Sequence, residues 1–142
     1  MIGPPERYAF LGLRVQADLI SDCGPLAGVY TGLKTSPADW NLVVACDMPS
    51  VTVGFLSSLL DAAEEADAAV LVPKTTDGLH PLCAVYHRRT LADVQSLIEC
   101  RSLRMHEALS HLRAVHWPLA EFSLVENVNT PLAWNTREAL LE

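Results

Sequence analysis

The chain has 142 residues, half of them hydrophobic, and a mean hydropathy of +0.21, enough apolar material for one domain with a buried core. Ten Lys and Arg against seventeen Asp and Glu leave a net charge of -7, which argues against partners such as nucleic acid or anionic lipid that bind through phosphate charge. No run reaches the roughly 18 uninterrupted apolar residues of a membrane span, and Gly3-Pro4-Pro5-Glu6-Arg7 interrupts any signal sequence after Met1, so a soluble, unexported, cytoplasmic protein is expected.

In chain order, Gly24-Pro25-Leu26-Ala27-Gly28 opens a predicted helix to about Leu33, with Asp18 and Asp22 just upstream. Leu42 to Cys46 reads as a strand, apolar on both faces like a central parallel strand, and it stops at Asp47. A helix follows from about Thr52, its N-cap, to Ala66. Leu56, Leu59, Leu60 and Ala63 fall on one face, and Ser57, Ser58, Asp61, Glu64 and Glu65 on the other. Ala68 to Val72 is a second apolar strand, closed by Pro73, and Thr75 to Gly78 a polar turn.

Strand, helix, strand predicts a right-handed crossover. Pro81 to Tyr86 reads as a further strand, Thr90 to Glu99 and Ser102 to Leu109 as helices, and Ala114 to Trp117 as a short strand. Val125 to Val128 looks extended, and Thr130-Pro131 starts a terminal helix with an N-cap residue and a first-turn proline. The alternation of apolar runs and helical stretches predicts a single α/β domain over residues 1–142, with a mostly parallel sheet.

Asp47 is the strongest candidate for chemistry, because ligands of open α/β sheets bind beyond the carboxyl ends of the strands. A carboxylate there can hold Mg²⁺, which keeps several waters and needs few protein ligands when substrate phosphates supply the rest. A helix-capping or turn aspartate is the alternative reading. The Gly24 to Gly28 segment lets a nucleotide approach the backbone and ends on a helix N-terminus that favours an anion; a structural turn into the helix is its alternative. Asn127 and Asn129 lie two apart, so their amides face one way and could read a heterocycle edge or make Asx turns before the helix.

Lys74, Arg101 and Arg104 are the cations best placed to meet phosphate, or are surface charges. His106, His111 and His116 step by five, off any common helical face, and no histidine is assigned a role. Cys23, Cys46, Cys83 and Cys100 show no zinc spacing and are expected to be reduced thiols.

In combination these motifs are more specific. Asp18, then Gly24-Pro25-Leu26-Ala27-Gly28, then Ala45-Cys46-Asp47-Met48-Pro49, then Pro81-Leu82-Cys83-Ala84-Val85-Tyr86, then Asn127-Val128-Asn129-Thr130-Pro131 closely resembles the molybdenum cofactor guanylyltransferases. The match runs along nearly the whole chain, and the Gly24 to Gly28 segment favours this family over the cytidylyltransferases of the same cofactor. The resemblance implies a three-layer, Rossmann-like nucleotidyltransferase fold and transfer of GMP from GTP to molybdenum-molybdopterin, with Mg²⁺ as cofactor.

Carried over by position, Asp47 would ligate Mg²⁺ and contact GTP, and Asp18, Gly24, Pro25, Leu26 and Gly28 would shape the nucleotide pocket. Asn127, Asn129 and Thr130 would face molybdopterin. The family's N-terminal strand and glycine-rich phosphate loop have no counterpart here, Met1-Ile2-Gly3 resembles the end of its second strand, and Leu132-Ala133-Trp134 stands where acidic residues usually follow. The chain is therefore expected to represent roughly the C-terminal two-thirds of such an enzyme, with catalysis nearly abolished in isolation. Other readings are a non-catalytic molybdopterin-binding or partner-docking module and a nucleotidyltransferase using CTP or a sugar phosphate. Partners in the resemblance are GTP and molybdenum-molybdopterin, with a homo-oligomer or cofactor-handling proteins left open.

Overall fold

Val70, Leu71 and Val72 point alternately to opposite faces of a strand, and all three are at most 2% exposed, so both faces of that strand are covered. A computed structural model describes residues 1–120 together with 125 and 126. Within them a short helix α1 (Pro5–Tyr8) and a 3₁₀ turn (Ala9–Leu11) precede α2 (Gly24–Thr35), β1 (Trp40–Val44), α3 (Val53–Glu65), β2 (Val70–Thr75), β3 (Gly78–Leu79) and β4 (Cys83–His87). Then come a 3₁₀ turn (Arg88–Thr90), α4 (Leu91–Glu99), α5 (Met105–His111) and β5 (Val115–Pro118). The expected terminal helix, and Asn127, Asn129 and Thr130 with it, lie outside the described residues.

The sheet sorts its side chains by parity into two cores. Val70 and Val72 of β2 and Ala84 and Tyr86 of β4 pack with Leu26, Val29 and Leu33 of α2 and with Val94 of α4. Leu71, Cys83 and Val85 point the other way, onto Phe55, Leu59 and Ala63 of α3 and onto Val125. Helices on both faces of one sheet give the three-layer α/β arrangement. Burial pushes the Cys83 thiol up to about 11 and raises the Tyr86 phenol as well, whose hydroxyl donates to the Pro81 carbonyl at 2.9 Å.

The helix α3 follows its periodicity closely. Thr52 caps it, its hydroxyl accepting from the Phe55 N–H at 3.2 Å, and Leu59 and Ala63 are buried while Ser57, Ser58, Asp61, Glu64 and Glu65 face solvent. Phe55 takes the buried first-turn position, and Leu56 and Leu60 flank the stripe half-buried.

The strand pattern departs from the expected parallel succession. β4 pairs antiparallel with β1 and with β2, β3 forms a hairpin with β2, and among the described strands only β5 pairs in parallel, with β2. β1, β2 and β5 thus run one way, as a strand-helix-strand reading requires, but β4 is inserted between β1 and β2 against them. The reason is local: the two-residue turn at Thr76-Asp77 reverses the chain, with Gly78 at φ 127°, so the polypeptide re-enters the sheet antiparallel.

Two strand expectations are corrected. Pro73 does not close β2; it lies within it, opposite Trp117 of β5, and its carbonyl accepts from the His80 N–H at 3.0 Å. β1 is not a strand covered on both sides: among the described residues it pairs only with β4, and Leu42 and Val44 remain 39% and 40% exposed. On its far side the chain start forms a separate parallel bridge, Ile2 to Gln16.

Candidate functional site

The carboxyl end of β1 is tied to the Leu82 loop and to the core. The Ala45 N–H donates to the Leu82 carbonyl at 2.7 Å, Cys46 and Asp47 form a turn, and Met48 is buried in the α3-side core. Asp47 is thereby suspended, half-buried, at the rim of a trough of about 700 Å³. The trough is lined by β1 and the Leu82 loop, by residues 1–2 and the stretch carrying Arg14, Gln16 and Asp18, and by Gly28, Val29, Gly32 and Leu33 of α2.

Asp18 lines the same trough. Its segment is tied to α2 by the neighbouring Leu19 N–H, which donates to the Thr31 hydroxyl at 3.0 Å. Thr31 is fully buried, and Asp18 Oδ1 lies 3.9 Å from where a β-carbon on Gly28 would stand. Thr31 was not singled out from the sequence: a threonine within an apolar helical run carries no mark of its hydrogen-bond partner twelve residues upstream.

α2 begins at the mouth of this trough. Gly24, at φ 58°, makes the left-handed turn into the helix, Pro25 follows in the first turn, and Cys23 gives no side-chain cap. The first turn of this 12-residue helix, which receives no side-chain cap, carries the positive helix end toward a site where Gly24 and Pro25 are lining residues. Arg101 supports the entry: its guanidinium donates to the Asp22 carbonyl at 3.4 Å and approaches Cys23 Sγ at 3.7 Å.

The residues singled out from the sequence therefore separate. Asp18, Gly24, Pro25, Gly28 and Asp47 converge on one trough. Leu26 does not; it is fully buried in the core beneath α2, where helical periodicity turns it away from the opening. Lys74, Arg101 and Arg104 are not lining residues either, and Arg104 pairs with Glu107 at 3.2 Å.

The lining supplies the Asp18 and Asp47 carboxylates and the free thiol of Cys46, and among the described residues no three His, Cys, Asp or Glu side chains cluster as a complete metal cage. Two carboxylates fit a hard divalent cation that takes most of its ligands from substrate oxygens and water, and fall short of the three or four protein ligands of a zinc centre. No helix among the described residues is long and apolar enough to cross a membrane.

Comparison with known proteins decides the family. The sequence profile of the MobA-like NTP transferase domain matches residues 1–115. The chain belongs to that family. Among relatives of this MobA-like domain, a probable molybdenum cofactor guanylyltransferase of Flavobacterium johnsoniae is 32% identical over 110 residues, covering 78% of this chain and 57% of its own. A molybdenum cofactor guanylyltransferase of Syntrophotalea carbinolica is 31% identical over 94 residues, or 66% of this chain and 45% of its own. The chain thus spans about half the length of these two relatives.

The fold agrees with the assignment. The molybdopterin-guanine dinucleotide biosynthesis protein A of Archaeoglobus fulgidus superposes with a TM-score of 0.84 at 24% identity, over 99% of this chain and 76% of that one. A 2-C-methyl-D-erythritol 4-phosphate cytidylyltransferase of Thermus thermophilus superposes at 0.67 and 15% identity, covering 98% of this chain and 77% of that one. The MobA-like chain therefore has a nucleotidyltransferase fold, and the expected α/β class holds.

Proposed function

We propose that the trough is the nucleotide end of a guanylyltransferase site, binding GTP with Mg²⁺ for transfer of GMP to molybdenum-molybdopterin. The observation that carries this reading is the convergence of Asp18, Gly24, Gly28 and Asp47 on one opening, in a chain whose relatives are named for that reaction. The activity of the whole enzyme draws on more polypeptide than this chain's match to those relatives covers.

In this reading Asp47 and Asp18 hold the cation and the nucleotide at the mouth. Mg²⁺ held there would supply charge neutralisation for the triphosphate while a molybdopterin phosphate oxygen bonds to the α-phosphorus and pyrophosphate leaves. The α2 N-terminus turns its first-turn N–H groups and the positive helix end toward anionic phosphate, and Gly24 and Gly28 let ribose or base approach the backbone. Rigid anchorage through Leu82, Met48 and Thr31 keeps these groups aligned, which is where an aligned displacement gains its rate. The molybdopterin side would fall to Asn127, Asn129 and Thr130.

Calorimetric titration of this chain with GTP and CTP, each with and without Mg²⁺, and separately with molybdopterin, tests the proposal. Magnesium-dependent binding that prefers GTP is expected. Magnesium-dependent binding that prefers CTP would assign a different nucleotidyltransferase, and molybdopterin binding without any affinity for GTP would assign a non-catalytic module.

A further inference from the structure

A chain running straight back from Tyr86 would put Pro81 roughly 16 Å away, at about 3.3 Å per residue. The Tyr86 hydroxyl instead donates to the Pro81 carbonyl at 2.9 Å, because the polypeptide folds back on itself just before β4. It does so in a turn closed by the Cys83 N–H, which donates to the His80 carbonyl at 3.0 Å, with Pro81 in the first central position that suits its fixed φ. The two central carbonyls go to different partners. That of Pro81 accepts from Tyr86, and that of Leu82 accepts from the Ala45 N–H at 2.7 Å.

We infer that Tyr86 is a positioning residue for the cation end of the proposed site: its hydroxyl fixes the His80–Cys83 turn, which fixes the strand exit that carries Asp47. The inference rests on the nucleotide reading of the trough.

Tyr86 acts from behind the site. It is fully buried in the α2-side core, with Val70, Val72 and Ala84, and it does not line the trough. Burying a hydroxyl in such surroundings costs free energy unless it is bonded, and a phenylalanine would fill the same space without that cost. The ring is firmly placed as well, since Tyr86 pairs with Asn41 of β1 on one side and Val70 of β2 on the other.

The peptide between the two central residues is the part of a four-residue turn that rotates most readily, because its flip interconverts the two commonest turn types. A bond to the Pro81 carbonyl holds that peptide in one orientation. Leu82 comes next, lining the trough and bonded to Ala45, and only Cys46 stands between Ala45 and Asp47. Freedom gained at the Pro81 peptide therefore reaches the carboxylate with little chain to absorb it. Mg²⁺ demands near-ideal octahedral geometry, so a loosened carboxylate weakens the cation's contribution more than that of the nucleotide itself.

The test is calorimetric titration of the 142-residue chain and its Tyr86→Phe variant with GTP, with and without Mg²⁺, together with amide hydrogen exchange at Ala45. Tyr86→Phe should fold, lose GTP affinity on the order of fivefold or more in Mg²⁺ but less than about twofold without it, and exchange the Ala45 amide about tenfold faster. Para-aminophenylalanine at position 86, which restores a donor on the ring, should recover both. Ala63→Gly, a mildly destabilising helix change on the opposite face of the sheet, should alter neither. Equal losses in Ala63→Gly, or unchanged magnesium-dependent affinity in Tyr86→Phe, would overturn the inference and leave the nucleotide reading standing. Failure of Tyr86→Phe to fold would do the same, because the hydroxyl would then serve the fold and not the site. An unaltered chain without magnesium-dependent GTP binding would overturn the nucleotide reading, and this inference with it.

Discussion

Asp18 and Gly28 face each other across the head of the trough, with the carboxylate Oδ1 3.9 Å from the place a Gly28 β-carbon would take. That separation accommodates a methyl group in ordinary contact and nothing larger without moving the carboxylate. Gly28→Ala should raise stability by about 0.5–1 kcal/mol through helix propensity and leave Mg-GTP affinity within a few-fold. Gly28→Leu should keep the fold but weaken Mg-GTP binding at least ~10-fold, since 1.4 kcal/mol of displaced contact suffices. Thermal melts and calorimetry on the two variants separate the effects.

Thr31→Val removes the acceptor of the Leu19 N–H while conserving shape. Leaving a partly buried donor unpaired costs about 1–3 kcal/mol, so urea midpoints should fall accordingly. The segment carrying Asp18 should loosen as well, so nucleotide affinity should fall together with stability. Thr31→Ser, which restores the hydroxyl, should recover nucleotide affinity.

Leu59 is fully buried where α3 meets β2 and β4. Leu59→Ala should lower the unfolding free energy by about 2–5 kcal/mol, measured by denaturant titration, because both transfer energy and a residual cavity enter. A loss below about 1 kcal/mol would mean that the α3-side core is loosely packed.

The turn after β2 predicts a pH dependence. His80 Nε2 lies 2.8 Å from the Thr75 hydroxyl, and burial lowers the imidazole pKa below its ordinary 6.5, with the Asp77 carboxylate opposing. The unfolded chain then binds the proton more readily than the folded one. The stability associated with neutral His80 is present above pH 6.5 and declines as the pH falls through the folded value. Melting temperatures recorded from about pH 8 down to about pH 5 should decline, and His80→Gln should flatten part of that slope.

Much of this architecture was legible in the residues. The α3 stripe, its Thr52 cap and the polar turn at Asp77 follow from periodicity and turn chemistry, which are local. The place of β4 between β1 and β2 was not, since strand order in space is settled by which edges remain open and not by order along the chain. Pro73 misled for a related reason: a proline ends a strand only where its missing N–H would be needed. At the site, Asp18, Gly24, Pro25, Gly28 and Asp47 were recognisable as motif residues, whereas the inward turn of Leu26 and the anchoring by Thr31 depend on how α2 packs.

In the proposed site the carboxylates at the mouth of the trough would hold a divalent cation together with GTP. Mn²⁺ substituted for Mg²⁺ reads this directly, because it broadens the amide resonances of residues near it. Adding Mn²⁺ and GTP should broaden residues 18, 24–28 and 45–48 selectively, and Asp47→Asn should abolish the effect while leaving the melting curve nearly unchanged. Broadening spread over the acidic surface of α3 instead, or unaltered in Asp47→Asn, would contradict the assignment.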